Sequence, residues 1–242
     1  MKKTMITMAI CLAITTLTHV MAQEKHHTKI SSAQLSDYSK LSLIGPLNVE
    51  WILADSNIVD IRLSDVDMPY LKCGVEQDQL TISLKPRLGK SKTDQQKGEV
   101  KIYTSHAVPI ITVMGSTLLM PNTYSRSART INVGGGGKVS GQLDCMDMEL
   151  NVSGNSAVVF TGKSKYLTVN ASENSKVNCR NLECTSIVAN ASTSSELFIW
   201  GAERVVLKAS SGGTIFYRGH PNVVKETIPS FSLGASINNI KE

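Results

Sequence analysis

Five segments in the second half of the chain align without gaps: INVGGGGKV (131–139), LNVSGNSAV (150–158), VNASENSKV (169–177), ANASTSSEL (189–197) and LKASSGGTI (207–215). The successive offsets are 19, 19, 20 and 18 residues. Short β-prone runs recurring at this period specify stacked coils of strand, each coil adding one layer. Antiparallel hairpins with two-residue turns would give a different period, so the stacking is read as parallel. The hand is read as right-handed from the general preference of parallel crossovers. The expected fold is all-β: a parallel, right-handed, single-stranded β-helix with rungs of about 19 residues and a less regular N-terminal part.

Each rung can be read residue by residue. Leu150 and Val152, Val169 and Ala171, Ala189 and Ala191, and Leu207 and Ala209 share one parity and point inward, together with Met148, Leu167, Ile187 and Val205. Four small polar residues follow, such as Ser153-Gly-Asn-Ser156 and Ser192-Thr-Ser-Ser195, which is turn chemistry. A second short strand starts at Val158, Val177, Leu197 and Ile215, with Phe160, Cys179, Ile199 and Tyr217 inward two residues later. Gly162, Asn181, Gly201 and Gly219 come next and are expected to turn a corner in the left-handed conformation. About five buried apolar side chains per rung, at roughly 1.5–3 kcal/mol each, offset the ordering entropy only because neighbouring rungs share the core.

The first 22 residues read as a secretory leader. Lys2 and Lys3 precede an apolar run from Met5 to Leu17, and small Ala22 marks cleavage before Gln23. The run is too short for a membrane span, and Cys11 lies in no lipobox. The mature chain is expected to be exported, in the periplasm, on the outer surface or secreted, and not membrane-spanning. Residues 23–35 are expected as a flexible tail. Residues 36–240 form one β-helix domain, irregular over 36–125 and regular over 126–240. In the irregular part, Tyr38 to Trp51, Ile58 to Leu63, Gln79 to Leu84 and Val100 to Tyr103 look like strands. His106 to Met120 looks like an early, imperfect rung.

Without Lys2 and Lys3 the formal charge falls from +5 to +3, and aromatic residues are only 5 % of the chain. This carries no nucleic-acid footprint. Export permits disulfides, but the frame sets Cys145 and Cys184 two rungs apart. That is roughly 9–10 Å at the spacing of stacked strands, too far to bridge. Cys179 falls inward, as a small apolar residue. Cys73, Cys145, Cys179 and Cys184 are therefore expected as free thiols.

Three stretches in order, YSKLSLIGPLNVEW (38–51), MPYLKCGVEQDQLTISL (68–84) and the SGNS-type repeats ending in FYRGHPNVVKETIPSFSLGASINNI (216–240), resemble the Bacteroidetes family of auto-transporter adhesins with a head GIN domain. The resemblance implies an exported parallel β-helix with no catalytic residues to carry over. It departs at the final rung, where Pro229-Ser-Phe-Ser-Leu233 replaces the Gly-rich turn, so the last coil is expected to cap the stack rather than continue it.

The candidate chemistries are few. Gly134 to Lys138 lacks the first glycine and the terminal Ser or Thr of a phosphate loop, and reads as a Gly-filled repeat turn. Polysaccharide-cleaving β-helices need carboxylates stacked on adjacent rungs; here Asp144, Asp147, Glu149, Glu173, Glu183, Glu196 and Glu203 are read at different frame positions. His26, His27, His106 and His220 do not cluster, and Cys179-x4-Cys184 lacks a second ligand pair, so no metal and no cofactor are expected. The sequons at Asn151, Asn170 and Asn190 recur with the repeat, and Asn132 shares the frame; they read as a ladder of outward amides hydrogen-bonded along the axis. The loop Lys85–Lys101 reads as a solvated basic insertion.

One surface stands out. Phe198, Trp200 and Phe216 face outward on adjacent rungs, flanked by Arg180 and Arg218. Aromatic residues with arginine on an exposed face suit a contact surface; cover by the N-terminal region or a loop is the alternative. The expected function is a non-enzymatic, exported adhesin or binding module at the cell envelope. A polysaccharide-active β-helix enzyme and a purely structural envelope component are the alternatives. The expected partner is a glycan or an envelope protein, or a second copy of the chain in a homo-oligomer.

Overall fold

The computed structural model describes residues 28–87, 96–121, 123–125, 129–229 and 232–240. Residues 1–27, which include the expected leader, and the middle of the basic loop lie outside the described residues. The N-terminal strands are β1 (Thr28–Gln34), β2 (Lys40–Ile44), β3 (Leu47–Leu53), β4 (Ile58–Ser64), β5 (Leu71–Glu76), β6 (Gln79–Leu84), β7 (Gly98–Thr104), β8 (Ile110–Met114), β9 (Thr117–Leu119) and β10 (Thr123–Ser125). They are followed by β11 (Arg129–Gly134), β12 (Lys138–Val152), β13 (Ala157–Ala171), β14 (Lys176–Ala191), β15 (Glu196–Ala209), β16 (Thr214–Arg218), β17 (Val223–Thr227) and β18 (Ser236–Asn239).

From β8 onward every pairing is parallel, as the repeat requires. Lys138, Ala157, Lys176, Glu196, Thr214 and Ser236 are successive partners, 19, 19, 20, 18 and 22 residues apart. Val133, Val152, Ala171, Ala191 and Ala209 stand in one interior column, and all are buried. Two long faces flank each turn. The leading face carries β2, β8, β11 and the later halves of β12 to β15. The trailing face carries β3, β9, the early parts of β12 to β15, β16 and β18. A short third side links them.

The turn itself is more specified than its composition suggested. Its two central residues take positive φ in pairs: Gly154 and Asn155, Glu173 and Asn174, Thr193 and Ser194, Ser211 and Gly212. Turns then stack as a backbone ladder, with Asn155 N–H on Glu173 O at 2.9 Å and Asn174 N–H on Thr193 O at 3.0 Å. Ser156, Ser175 and Ser195 close their turns as buried residues, and the last two tie the turn to the preceding rung. Ser175 donates to Val152 O at 3.1 Å, and Ser195 to Ala171 O at 2.9 Å. These bonds hold non-glycine residues in a conformation that is otherwise costly.

The corner expectation needs correction. Gly162 and Gly219 do take positive φ, 109° and 100°. A Cβ at Gly162 would collide with the carbonyl of Leu143. Asn181 and Gly201 are not left-handed. Between β13 and β14 the register shifts beyond Val159, and between β14 and β15 it shifts twice more. At Asn181 one extra residue is absorbed as a bulge, and at Gly201 the offset falls by three residues and then regains one; both irregularities re-aim the chain without a left-handed residue.

The N-terminal part does not stack in chain order. The rung of β2 and β3 lies between that of β6 and β7 and that of β8 and β9: Leu43 pairs with both Ile82 and Val113, and Val49 with both Val100 and Leu118. Beyond this, antiparallel strands close the end. β5 pairs with β6, β4 with β7, and β1 with β4 over seven residues. The tail expected over 23–35 thus includes a strand.

The other end also departs from expectation. The last coil continues the stack rather than capping it, because β17 and β18 pair in parallel with β15 and β16. Ser232-Leu-Gly-Ala235 reproduces the turn, with Gly234 at φ 70°. What changes is the inward chemistry. Glu226 follows Leu207 and Asn239 follows Tyr217, so polar residues take the next places in these two columns.

A candidate interaction surface

Alternation along the trailing face sends Lys176, Asn178, Arg180, Glu196, Phe198, Trp200, Thr214, Phe216 and Arg218 outward. Their inward neighbours Val177, Cys179, Leu197, Ile199, Ile215 and Tyr217 are buried. Register then brings the expected residues together. Phe198 pairs with Phe216 and Trp200 with Arg218. The two phenyl rings stack at 4.8 Å between centroids and 12° between planes.

Cations cover the remaining ring faces. Arg180 lies 5.2 Å and Lys176 5.4 Å from the Phe198 centroid. Both come from β14, on the opposite side from Phe216, so Phe198 is enclosed on both faces. Arg218 sits 4.2 Å over the Trp200 ring. Each such contact contributes about 0.5–1 kcal/mol at a half-exposed site. The rings are half-buried in this way by their own neighbours in the repeat.

Sequence reasoning missed Lys176, which also bonds Glu196 at 2.8 Å. The signal was available, since Lys176 has the same outward parity two residues before Asn178. It also missed that the aromatic patch belongs to a longer stripe. Phe216, Phe198, Asn178, Val159, Ser140 and Leu119 form one outward column, and Val159 and Leu119 are 45 % and 51 % exposed.

The other candidate groups fall elsewhere. Asp144 and Glu183, read at different frame positions, share a column, but Lys163 stands between them and bonds Glu183 at 3.9 Å. His106 meets Tyr38 O at 2.6 Å and Thr104 Oγ1 at 3.2 Å. From the basic loop, Arg87 pairs with Asp67 at 3.6 Å and Lys101 with Glu50 at 3.4 Å. Ser164 separates Cys145 from Cys184, and its hydroxyl lies 3.5 Å from Cys145 Sγ. Burial pushes the Cys179 thiol up to about 12. Among the described residues no three His, Cys, Asp or Glu side chains gather as metal ligands, and no helix is long and apolar enough to cross a membrane.

A family model described as "Putative auto-transporter adhesin, head GIN domain" matches residues 37–221. The chain belongs to that family. Solved structures with the same fold include a putative adhesin from Bacteroides fragilis, with a TM-score of 0.78 and 16 % identity, covering 88 % of this chain and 97 % of that one. A putative adhesin from Parabacteroides distasonis gives a TM-score of 0.65 at 14 % identity, covering 89 % and 98 %. A protein from the same species described as a putative lipid binding protein gives 0.63 at 15 % identity, covering 90 % and 98 %. No curated protein matches the chain. At these identities the structural likeness speaks for the β-solenoid fold alone.

Proposed function

We propose that the mature chain is an exported, non-enzymatic adhesion module that makes its contacts at the cell envelope through the trailing face. Phe198, Trp200, Phe216, Arg180, Arg218 and Lys176 are the central residues. The observation that carries this is the outward column from Leu119 to Phe216, in which Ser140 and Asn178 interrupt the apolar residues and whose aromatic end is bordered by cations. The apolar leader supports export, and the adhesin family supports a surface role.

The column is about 24 Å long at the spacing of stacked strands. Three outward positions wide, it covers roughly 400 Å² per side, or about 800 Å² in a two-sided contact. Stable interfaces bury roughly 1,200–2,000 Å². A contact confined to this face is therefore weak, and firm attachment requires many copies on one surface. The same size argues against a stable homodimer through this face alone. The occupied ring faces favour a protein surface over stacked sugar rings.

The double variant Phe198→Ser with Phe216→Ser tests this. Its fold is expected to persist, with a melting temperature lower by a few degrees for the lost ring contacts. Retention of the protein on envelope-coated surfaces is expected to fall at least tenfold, and light scattering to give a monomer for both proteins. Unchanged retention in the folded variant overturns the proposal. A wild-type oligomer that the variant loses would instead assign the face to self-association.

A further inference from the structure

On the leading face, away from the aromatic column, the outward amides form a continuous ladder. Asn151 Nδ2 donates to Asn132 Oδ1 at 3.1 Å, Asn170 to Asn151 at 2.9 Å, and Asn190 to Asn170 at 2.8 Å. The turn serines run beside this column, two residues further on in each rung. At Gly134 the neighbouring column has no side chain, and Met114 leans across the gap, its sulfur 2.8 Å from where a Cβ would lie. The result is an open groove of about 270 Å³ along the axis, floored by Asn132, Asn151 and Asn170, edged by Ser153 and Ser172, and closed at one end by Met114.

We infer that this groove binds a neutral, linear oligosaccharide lying along the solenoid axis. Its lining residues are all neutral, and the one charged group described beside them, the Glu149 carboxylate on the Asn151 amide, disfavours an anionic ligand. Each amide has two donors and two acceptor positions. The ladder uses one donor and one acceptor of Asn170, which keeps a second of each for a ligand. Asn151 spends its other donor on the exposed Glu149 carboxylate at 3.2 Å, a bond that a ligand can replace. Donor and acceptor side by side, with a serine hydroxyl next to them, match the vicinal hydroxyls of a sugar. The Met114 side chain supplies an apolar wall for a sugar's C–H edge.

Two features favour a polymer over a free monosaccharide. The amides recur about every 4.8 Å, so successive units of a linear chain meet the same set of groups. The groove is also smaller than the roughly 300–1,000 Å³ of pockets that enclose a whole ligand, so it holds a segment of something longer. The ladder fixes each amide's orientation beforehand, so little side-chain freedom is lost on binding. This site is independent of the trailing-face contact.

The test is a titration of the isotopically labelled mature protein with cellohexaose and with mannohexaose, followed by NMR. Progressive shifts of the Asn151 and Asn170 side-chain amide resonances are expected with at least one of them. Ser172→Tyr fills the groove without removing a ladder amide and is expected to weaken binding at least tenfold at unchanged melting temperature. Phe198→Ser with Phe216→Ser is expected to leave the sugar-induced shifts intact, which separates this site from the adhesion face. The inference is overturned if neither hexasaccharide moves the asparagine amides, if the shifts gather around Trp200 instead, or if folded Ser172→Tyr binds as the wild type does.

Discussion

The two halves of the solenoid reach the same result by different routes. From β11 onward each rung is added to the one before it, and chain order and spatial order coincide. In the N-terminal half, β2 and β3 are sandwiched by rungs that arrive later in sequence, and antiparallel strands close the end. The interior columns nonetheless run through both halves without a break: Ile82, Leu43, Val113, Val133, Val152, Ala171, Ala191 and Ala209 are one continuous line. What a rung must supply is a set of inward side chains in register; the order in which the chain delivers them is free. The halves also differ in filling. That column shrinks from Ile and Leu to Ala along the axis, and the buried aromatic rings stand in other columns, Tyr38 and Trp51 in the N-terminal half and Phe160 and Tyr217 in the regular one.

The largest expected effect asks whether the halves form one cooperative unit. Leu43→Asp in the interleaved rung and Val158→Asp in the regular one each place an unpaired charge in the shared core. Each is expected to cost more than about 4 kcal/mol and to abolish the single calorimetric transition. A surviving transition in either variant would mean that the two halves melt separately.

A smaller effect is expected at the corners. Gly162→Ala forces a side chain onto the Leu143 carbonyl at a left-handed position, so a loss of about 2–3 kcal/mol, or roughly 5–10 °C, is expected. Asn181→Ala at the bulged corner is expected to change the melting temperature by no more than about 2 °C. Equal losses would show that the bulge does not replace the glycine.

The buried thiols belong to the regular half and give it an alkaline limit. Keeping Cys179 neutral stabilises the fold fully below its unfolded value of 9.0, and this is lost as pH rises toward about 12. Burial also raises Cys184 and Cys145. The melting temperature is therefore expected to fall between pH 9 and 11 more steeply in the wild type than in Cys179→Ala. Parallel slopes would remove Cys179 from the explanation. A modest effect is expected of Asn170→Ser, which breaks two ladder bonds beside solvent and costs about 1 kcal/mol, or 2–4 °C.

The regular half was legible because a fixed period fixes parity. Once Val152, Ala171 and Ala191 share a frame position, every neighbour's direction follows, including the outward Phe198 and Phe216. The interleaving was not legible, since the alternation of Tyr38 to Trp51 reads the same wherever its rung is inserted. The bulged corner at Asn181 was hidden because one extra residue in an offset does not say where it is absorbed. The last turn was misjudged on its residue types, although Ser232-Leu-Gly-Ala235 keeps the spacing. In the candidate surface, parity found the aromatic rings and the two arginines. Which cation covers which ring depends on long side-chain conformations, and there Lys176 escaped notice.

The interleaved rung has a mechanical consequence. Tension applied at the C-terminal end can unpeel β18, β17 and β16 in sequence, because each released coil frees the next. Pulling from the N-terminal side meets a different connection. β2 and β3 cannot slide out until two rungs, one on each side and both later in the chain, have let go. The solenoid should therefore yield stepwise at low force from one end and hold as a single clamp at the other.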